Sequence, residues 1–89
     1  MILNLSTLKM LFIQHFINMT REFRLKGDYI ELVKLLKLVR IAETGGHAKI
    51  LVEQGEVMRN GIQEFRKRAK LVTNDKIEVL GETIHIVSN

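Results

Sequence analysis

Twelve residues, Arg59 to Lys70 (Arg-Asn-Gly-Ile-Gln-Glu-Phe-Arg-Lys-Arg-Ala-Lys), hold five basic side chains and one acidic one. The other nine Lys and Arg are balanced by nine Asp and Glu, so the formal net charge of +4 resides in this one segment. A field concentrated in this way suits a polyanionic partner, and Arg59, Arg66, Lys67, Arg68 and Lys70 are the candidate contacts. The competing reading is a solvated basic face that serves solubility. Against it, a hairpin signal just ahead of the cluster fixes its position, and the rest of the chain is charge-balanced. Phe65 has the chemistry to stack on a base, but a phenylalanine between strands is more often core and is expected to be core here.

Gly45, Gly46 and Lys49 form a second candidate anion site. Glycines at a helix start leave backbone N–H groups open, and together with the helix dipole these can hold a phosphate. The same pair also fits a tight turn between helices that needs positive φ, which the spacing alone favours. Lys49, one turn later, moves the balance toward anion contact.

Chemistry beyond binding has little support. His15, His47 and His85 lie on different elements without the spacing of a zinc site, and His85 is expected on the solvent side of a strand. There is no cysteine to serve as nucleophile or thiolate ligand. No nucleophile elbow, Walker loop, dinucleotide fingerprint or carboxylate pair occurs on a short element. The expectation is a non-enzymatic protein with no metal and no cofactor.

These candidates must be positioned by a single domain, since 89 residues are too few for two cores. A hydrophobic content of 46% and a charged content of 27% are ordinary for a globular chain, and the absence of cysteine fits a reducing, cytoplasmic setting. Met1 to Asn18 stand apart, being apolar with Lys9 as the sole formal charge. Asn4, Ser6, Thr7, Lys9, Gln14, His15 and Asn18 interrupt the run too often for a membrane span, and no small-residue cleavage site follows. An amphipathic extension over 1–18 is expected ahead of a domain over 19–89, with Met19 an alternative start of translation.

Thr20 to Lys26 alternates and reads as a strand ended by Gly27. Asp28 with Glu31 resembles a capping box, which predicts a helix over Tyr29 to Val39 with a leucine stripe inside and Lys34 and Lys37 outside. Thr44 is the expected N-cap of a second helix reaching about Gln54, stopped by Gly55, with Lys49 and Glu53 as a candidate exposed pair. Val57 then opens a hairpin through Asn60-Gly61 with Ile62 on the return. Lys76 to Leu80 and Thr83 to Val87 alternate around a turn at Gly81-Glu82. The fold class is α+β, with two short packed helices and a small antiparallel sheet.

The order of these features resembles the RNA-binding domain of ribosomal protein S4, over Thr20 to Val87, and looks closest to the stand-alone bacterial proteins of the YbcJ and YaaA type. The resemblance is carried by Gly-Gly-His-Ala-Lys, Glu-Gln-Gly-Glu-Val, Arg-Asn-Gly, Arg-Lys-Arg-Ala-Lys-Leu and Asn-Asp-Lys-Ile-Glu-Val. It implies the S4-like αL motif, which binds structured RNA through its second helix and the adjoining loops. Gly45, Gly46 and Lys49 match the family's helix start, where Ser-Arg is common. Arg59-Asn60-Gly61 matches a Val-Asn-Gly turn, and Arg66, Lys67, Arg68 and Lys70 match the basic stretch after it. Asn74-Asp75-Lys76 stands where Gly-Asp-Lys or Gly-Asp-Val is usual, a mild change because Asn tolerates left-handed geometry. Met58 and Arg59 replace a more common Val and Val or Lys.

The resulting expectation is a monomeric, cytoplasmic RNA-binding protein linked to the ribosome or translation, without a membrane partner. Its target would be structured RNA, ribosomal or transfer RNA. The alternative is a small adaptor that docks an acidic protein during ribosome assembly.

Overall fold

Period-two patterning and period-three-to-four patterning alternate along the chain, and each becomes an element. The computed structural model describes residues 19–89, so the expected extension over 1–18 lies outside the described residues. The elements are β1 (Met19–Leu25), β2 (Ile30–Glu31), α1 (Leu32–Leu38), α2 (Gly45–Glu53), β3 (Val57–Arg59), β4 (Ile62–Gln63), β5 (Lys70–Leu71), β6 (Lys76–Val79) and β7 (Glu82–Ser88). Five strands form one sheet in the order β1-β7-β6-β3-β4, and β2 pairs with β5 in a separate two-stranded ladder.

The α+β class stands, but the sheet is mixed. β1 runs parallel to β7, with Phe23 opposite Ile86, while β7, β6, β3 and β4 pair antiparallel. Alternation specifies a strand and its faces, not the direction of its neighbour.

One core joins the helices to the sheet. Leu32, Leu35 and Leu36 of α1, Ala48, Leu51 and Val52 of α2, and Val57, Ile77, Ile84 and Ile86 of the sheet belong to one buried cluster. Burying one such aliphatic side chain is worth about 1.5–3 kcal/mol, so this cluster is the main source of stability.

Helix α1 starts later than the Asp28 capping box predicts. Ile30 and Glu31 are drawn into the ladder with Leu71 and Lys70, and the N-cap residue, Glu31, makes no side-chain cap bond. The first helical N–H groups find tertiary acceptors instead: Leu32 N–H donates to Ala69 O at 3.0 Å and Val33 N–H to Lys67 O at 3.1 Å. The basic loop itself thereby caps α1.

Helix α2 follows its local signals closely. Thr44 is the N-cap, its Oγ1 accepting from His47 N–H at 3.1 Å. At the other end Gly55 has φ 75°, its N–H donates to Val52 O, and Glu56 N–H donates to Leu51 O, the paired bonds of a Schellman stop. Asn60 and Gly61 have φ 52° and 84° between the paired Arg59 and Ile62, as a two-residue hairpin requires. In the second hairpin the turn residues are Leu80 and Gly81, at φ 48° and 79°, one position earlier than expected, because Glu82 already pairs with Val79.

Candidate nucleic-acid interface

Arg59 determines how the basic segment is held. By alternation it shares the inward face with fully buried Val57, so its guanidinium lies at the rim of the core and needs partners. Nε and Nη2 donate to Asp75 Oδ2 at 3.1 and 2.7 Å, and Nη2 also donates to Lys70 O at 2.9 Å. Glu64 Oε1 lies 3.7 Å from Nη1. Arg59 is therefore engaged internally, with 21% of its side chain left exposed.

Asp75 is a buried node. Its carboxylate also accepts from Asn60 Nδ2 at 2.9 Å and from Val72 N–H at 2.8 Å. Burial pushes its pKa up, but the Val72 N–H, the Asn60 amide and Arg59 outweigh that and hold it below the ordinary value. The hairpin is clamped further by Asn60 Oδ1, which accepts from Lys76 N–H at 2.8 Å. The left-handed Asn74 of this turn, at φ 79°, is tolerated as an asparagine is expected to be.

The loop between β4 and β5 carries most of the charge and is braced at its first residue. Glu64 is buried, and its carboxylate accepts from Arg66 Nε at 3.0 Å, Arg66 Nη2 at 2.9 Å and the Arg66 backbone N–H at 3.1 Å. The Arg66 side-chain bond is the chief cause of a lowered Glu64 pKa, working against desolvation. Arg66 nonetheless leaves 73% of its side chain exposed. Lys67 pairs with Glu53 of α2, so Glu53 serves the loop and not Lys49. Lys70 Nζ stands 4.9 Å from the centroid of the Tyr29 ring, a cation–π geometry.

These residues surround two hollows. An open cleft of about 720 Å³ is lined by Glu31, Val33, Lys34, Lys37, Gly45, Lys49, Phe65, Lys67 and Arg68. A shallower hollow of about 420 Å³ is lined by Arg59, Arg66, Arg68, Ala69 and Lys70. Arg68 borders both. The expected residues Gly45, Lys49, Lys67 and Arg68 thus meet at one cleft and Arg59, Arg66 and Lys70 at the other, while Gly46 is exposed beside the first. Lys37, Lys49 and Arg68 make no ion pair among the described residues.

Lys34 and Lys37, which sequence reasoning placed only on the outer face of α1, also line the first cleft. The signal was their three-residue spacing opposite the leucine stripe; their destination depends on α1 packing against α2. Phe65 corrects a second expectation, for it is 56% exposed and lines the cleft instead of joining the core.

The glycine pair is also clarified. Gly45 and Gly46 are the first two residues of α2, and neither has positive φ, so the turn explanation fails. A Cβ at Gly45 would stand 3.9 Å from Lys37 Cδ, and one at Gly46 3.8 Å from Thr44 Oγ1, both ordinary contacts. Their N–H groups lie in the first helical turn, where no intrahelical acceptor exists, and the Thr44 side chain is already engaged by His47 N–H. The fold does not require glycine at either position, and without side chains both leave their N–H groups open to approach.

Among the described residues there is no cluster of three or more His, Asp or Glu arranged to hold a metal ion, and no helix is long and apolar enough to cross a membrane.

Comparison with known proteins agrees with this architecture. The S4 domain family matches residues 23–87. The chain is 36% identical over 63 residues to the "Putative RNA-binding protein YbcJ" of Escherichia coli (strain K12), covering 71% of this chain and 90% of that protein. It has the same identity and coverage to the uncharacterized protein YbcJ of Shigella flexneri. The solution structure of E. coli YbcJ, described as revealing an αL motif involved in RNA binding, superposes with a TM-score of 0.59 at 31% identity, over 99% of this chain and 98% of that one. The protein belongs to the S4 domain family.

Proposed function

We propose that this protein is a non-catalytic RNA-binding module that recognises structured RNA through the cleft between α1, α2 and the basic loop. The observation that carries the reading is the convergence of Lys34, Lys37, Lys49, Lys67 and Arg68 on one cleft that Glu31 alone lines with a carboxylate. Lys37, Lys49 and Arg68 contact phosphates, and the Gly45 and Gly46 N–H groups receive one at the positive end of α2. Arg66 and Lys70 extend the contact around the second hollow, while Arg59 positions the loop from within.

Recognition of this kind reads shape and backbone more than sequence. Folded RNAs of the translation apparatus, ribosomal or transfer, are the fitting targets, and a cytoplasmic monomer is the fitting form. The RNA-binding description of E. coli YbcJ supports the same reading. A mobility-shift titration of the purified chain against folded ribosomal and transfer RNA tests it. Retarded complexes that compete with unlabelled folded RNA are expected; no complex at low salt would overturn the reading.

A further inference from the structure

Phe65 is an exposed aromatic ring in a position that the chain has fixed. On one side Glu64 is buried, with its N–H bonded to Val57 O at 2.9 Å. On the other, Arg66 is held through its backbone and its guanidinium by the Glu64 carboxylate. The ring edge also rests over Gly55, where an added Cβ would stand 3.3 Å from Phe65 Cε1 and 2.9 Å from Gln63 Nε2. Gln63 Nε2 in turn donates to Gly55 O at 3.0 Å. The glycine that stops α2 therefore also makes room for the ring.

The same ring lines the cleft with Lys37, Lys49 and Arg68. A flat apolar face flanked by cations has the chemistry of a nucleotide site: the ring takes a base face and the cations take the adjoining phosphates. In a continuous duplex both faces of each base are covered by its neighbours, so only an unpaired base can meet the ring. We propose that Phe65 is a stacking shelf for an unpaired base, and that the cleft selects RNA carrying a bulged or looped nucleotide over uninterrupted duplex. This inference rests on the RNA-binding reading of the same cleft.

Two RNA hairpins, identical except that one carries a single bulged 2-aminopurine, provide the test. The full chain should bind the bulged hairpin about tenfold more tightly than the paired one, the order expected of one base–aromatic stack, and should quench the 2-aminopurine. Phe65→Ala should abolish the preference and the quenching, and Phe65→Trp should retain both, with circular dichroism confirming the fold of each variant. Equal affinity for the two hairpins, lost when Lys37, Lys49 and Arg68 are replaced, would overturn the shelf while leaving RNA binding in place. A bulge preference that survives Phe65→Ala would overturn it as well. Binding of neither hairpin would overturn both readings together.

Discussion

Arg59 and Asp75, sixteen positions apart, are joined by two guanidinium bonds to one carboxylate oxygen, at 3.1 and 2.7 Å. The pair links β3 to the turn before β6, and the second Nη2 bond, to Lys70 O, fixes the end of the basic loop. This partly buried charge pair is thus what holds the loop beneath the proposed phosphate contacts.

Removing Asp75 takes away the main partner of a partly buried guanidinium and leaves two further donors unpaired. Asp75→Ala strands Arg59, the Asn60 amide and the Val72 N–H, and should lower unfolding free energy by about 3 kcal/mol in urea titrations. A loss below about 0.5 kcal/mol would show that the node is not structural.

Acid should act through the same node. Asp75 and Glu64 both have lowered pKa values in the folded state, so their contribution is fully present above the ordinary carboxylate range, near pH 4. It is lost as pH falls through that range toward the depressed folded values. Urea midpoints measured from pH 7 down to pH 2 should fall in that window, and Asp75→Asn should flatten the slope. An equal slope in the variant would contradict the assignment.

Local signals made much of this fold legible, and contacts distant in sequence account for what was not. The Thr44 cap, the Gly55 stop and the Asn60-Gly61 hairpin depend on neighbouring backbone conformation, so residue type suffices to find them. The start of α1 was misplaced because its first N–H groups bond to carbonyls of Lys67 and Ala69, more than thirty positions on. The parallel pairing of β1 with β7 joins the two ends of the described chain and leaves no mark on either strand's pattern. At the site, charge counting found the loop but not the internal bonds of Arg59 to Asp75 and the Lys70 carbonyl, which join positions far apart in sequence. It also gave no sign that Lys34 and Lys37 would line the same cleft, because a helix face has no known destination until the helix is docked.

Leu80, 57% exposed, occupies the left-handed region at φ 48° in the β6–β7 turn. Asparagine tolerates this conformation better than leucine, so Leu80→Asn should raise stability by about 1 kcal/mol. Thermal melts would detect it, and an unchanged or lower melting temperature would argue against a strained turn.

Gly46 separates folding from binding. Because its conformation is helical and a Cβ there has space, Gly46→Ala should stabilise the protein by up to about 1 kcal/mol. The same methyl obstructs close approach to the N–H groups, so RNA affinity should fall even as stability rises. A variant that is more stable and binds equally well would exclude these N–H groups from the contact.

The central claim is that the cations around the α1–α2 cleft neutralise RNA phosphates. Lys37, Lys49 and Arg68 make no ion pair among the described residues, so replacing all three with Ala should leave the fold intact. Affinity for a structured RNA hairpin, measured for wild type and triple variant across a salt series, tests the claim most directly. At about 0.7 to 0.9 per neutralised phosphate, the variant's log–log salt slope should be shallower by about two, together with a large loss of affinity at low salt. A variant with wild-type affinity and wild-type slope would contradict the account.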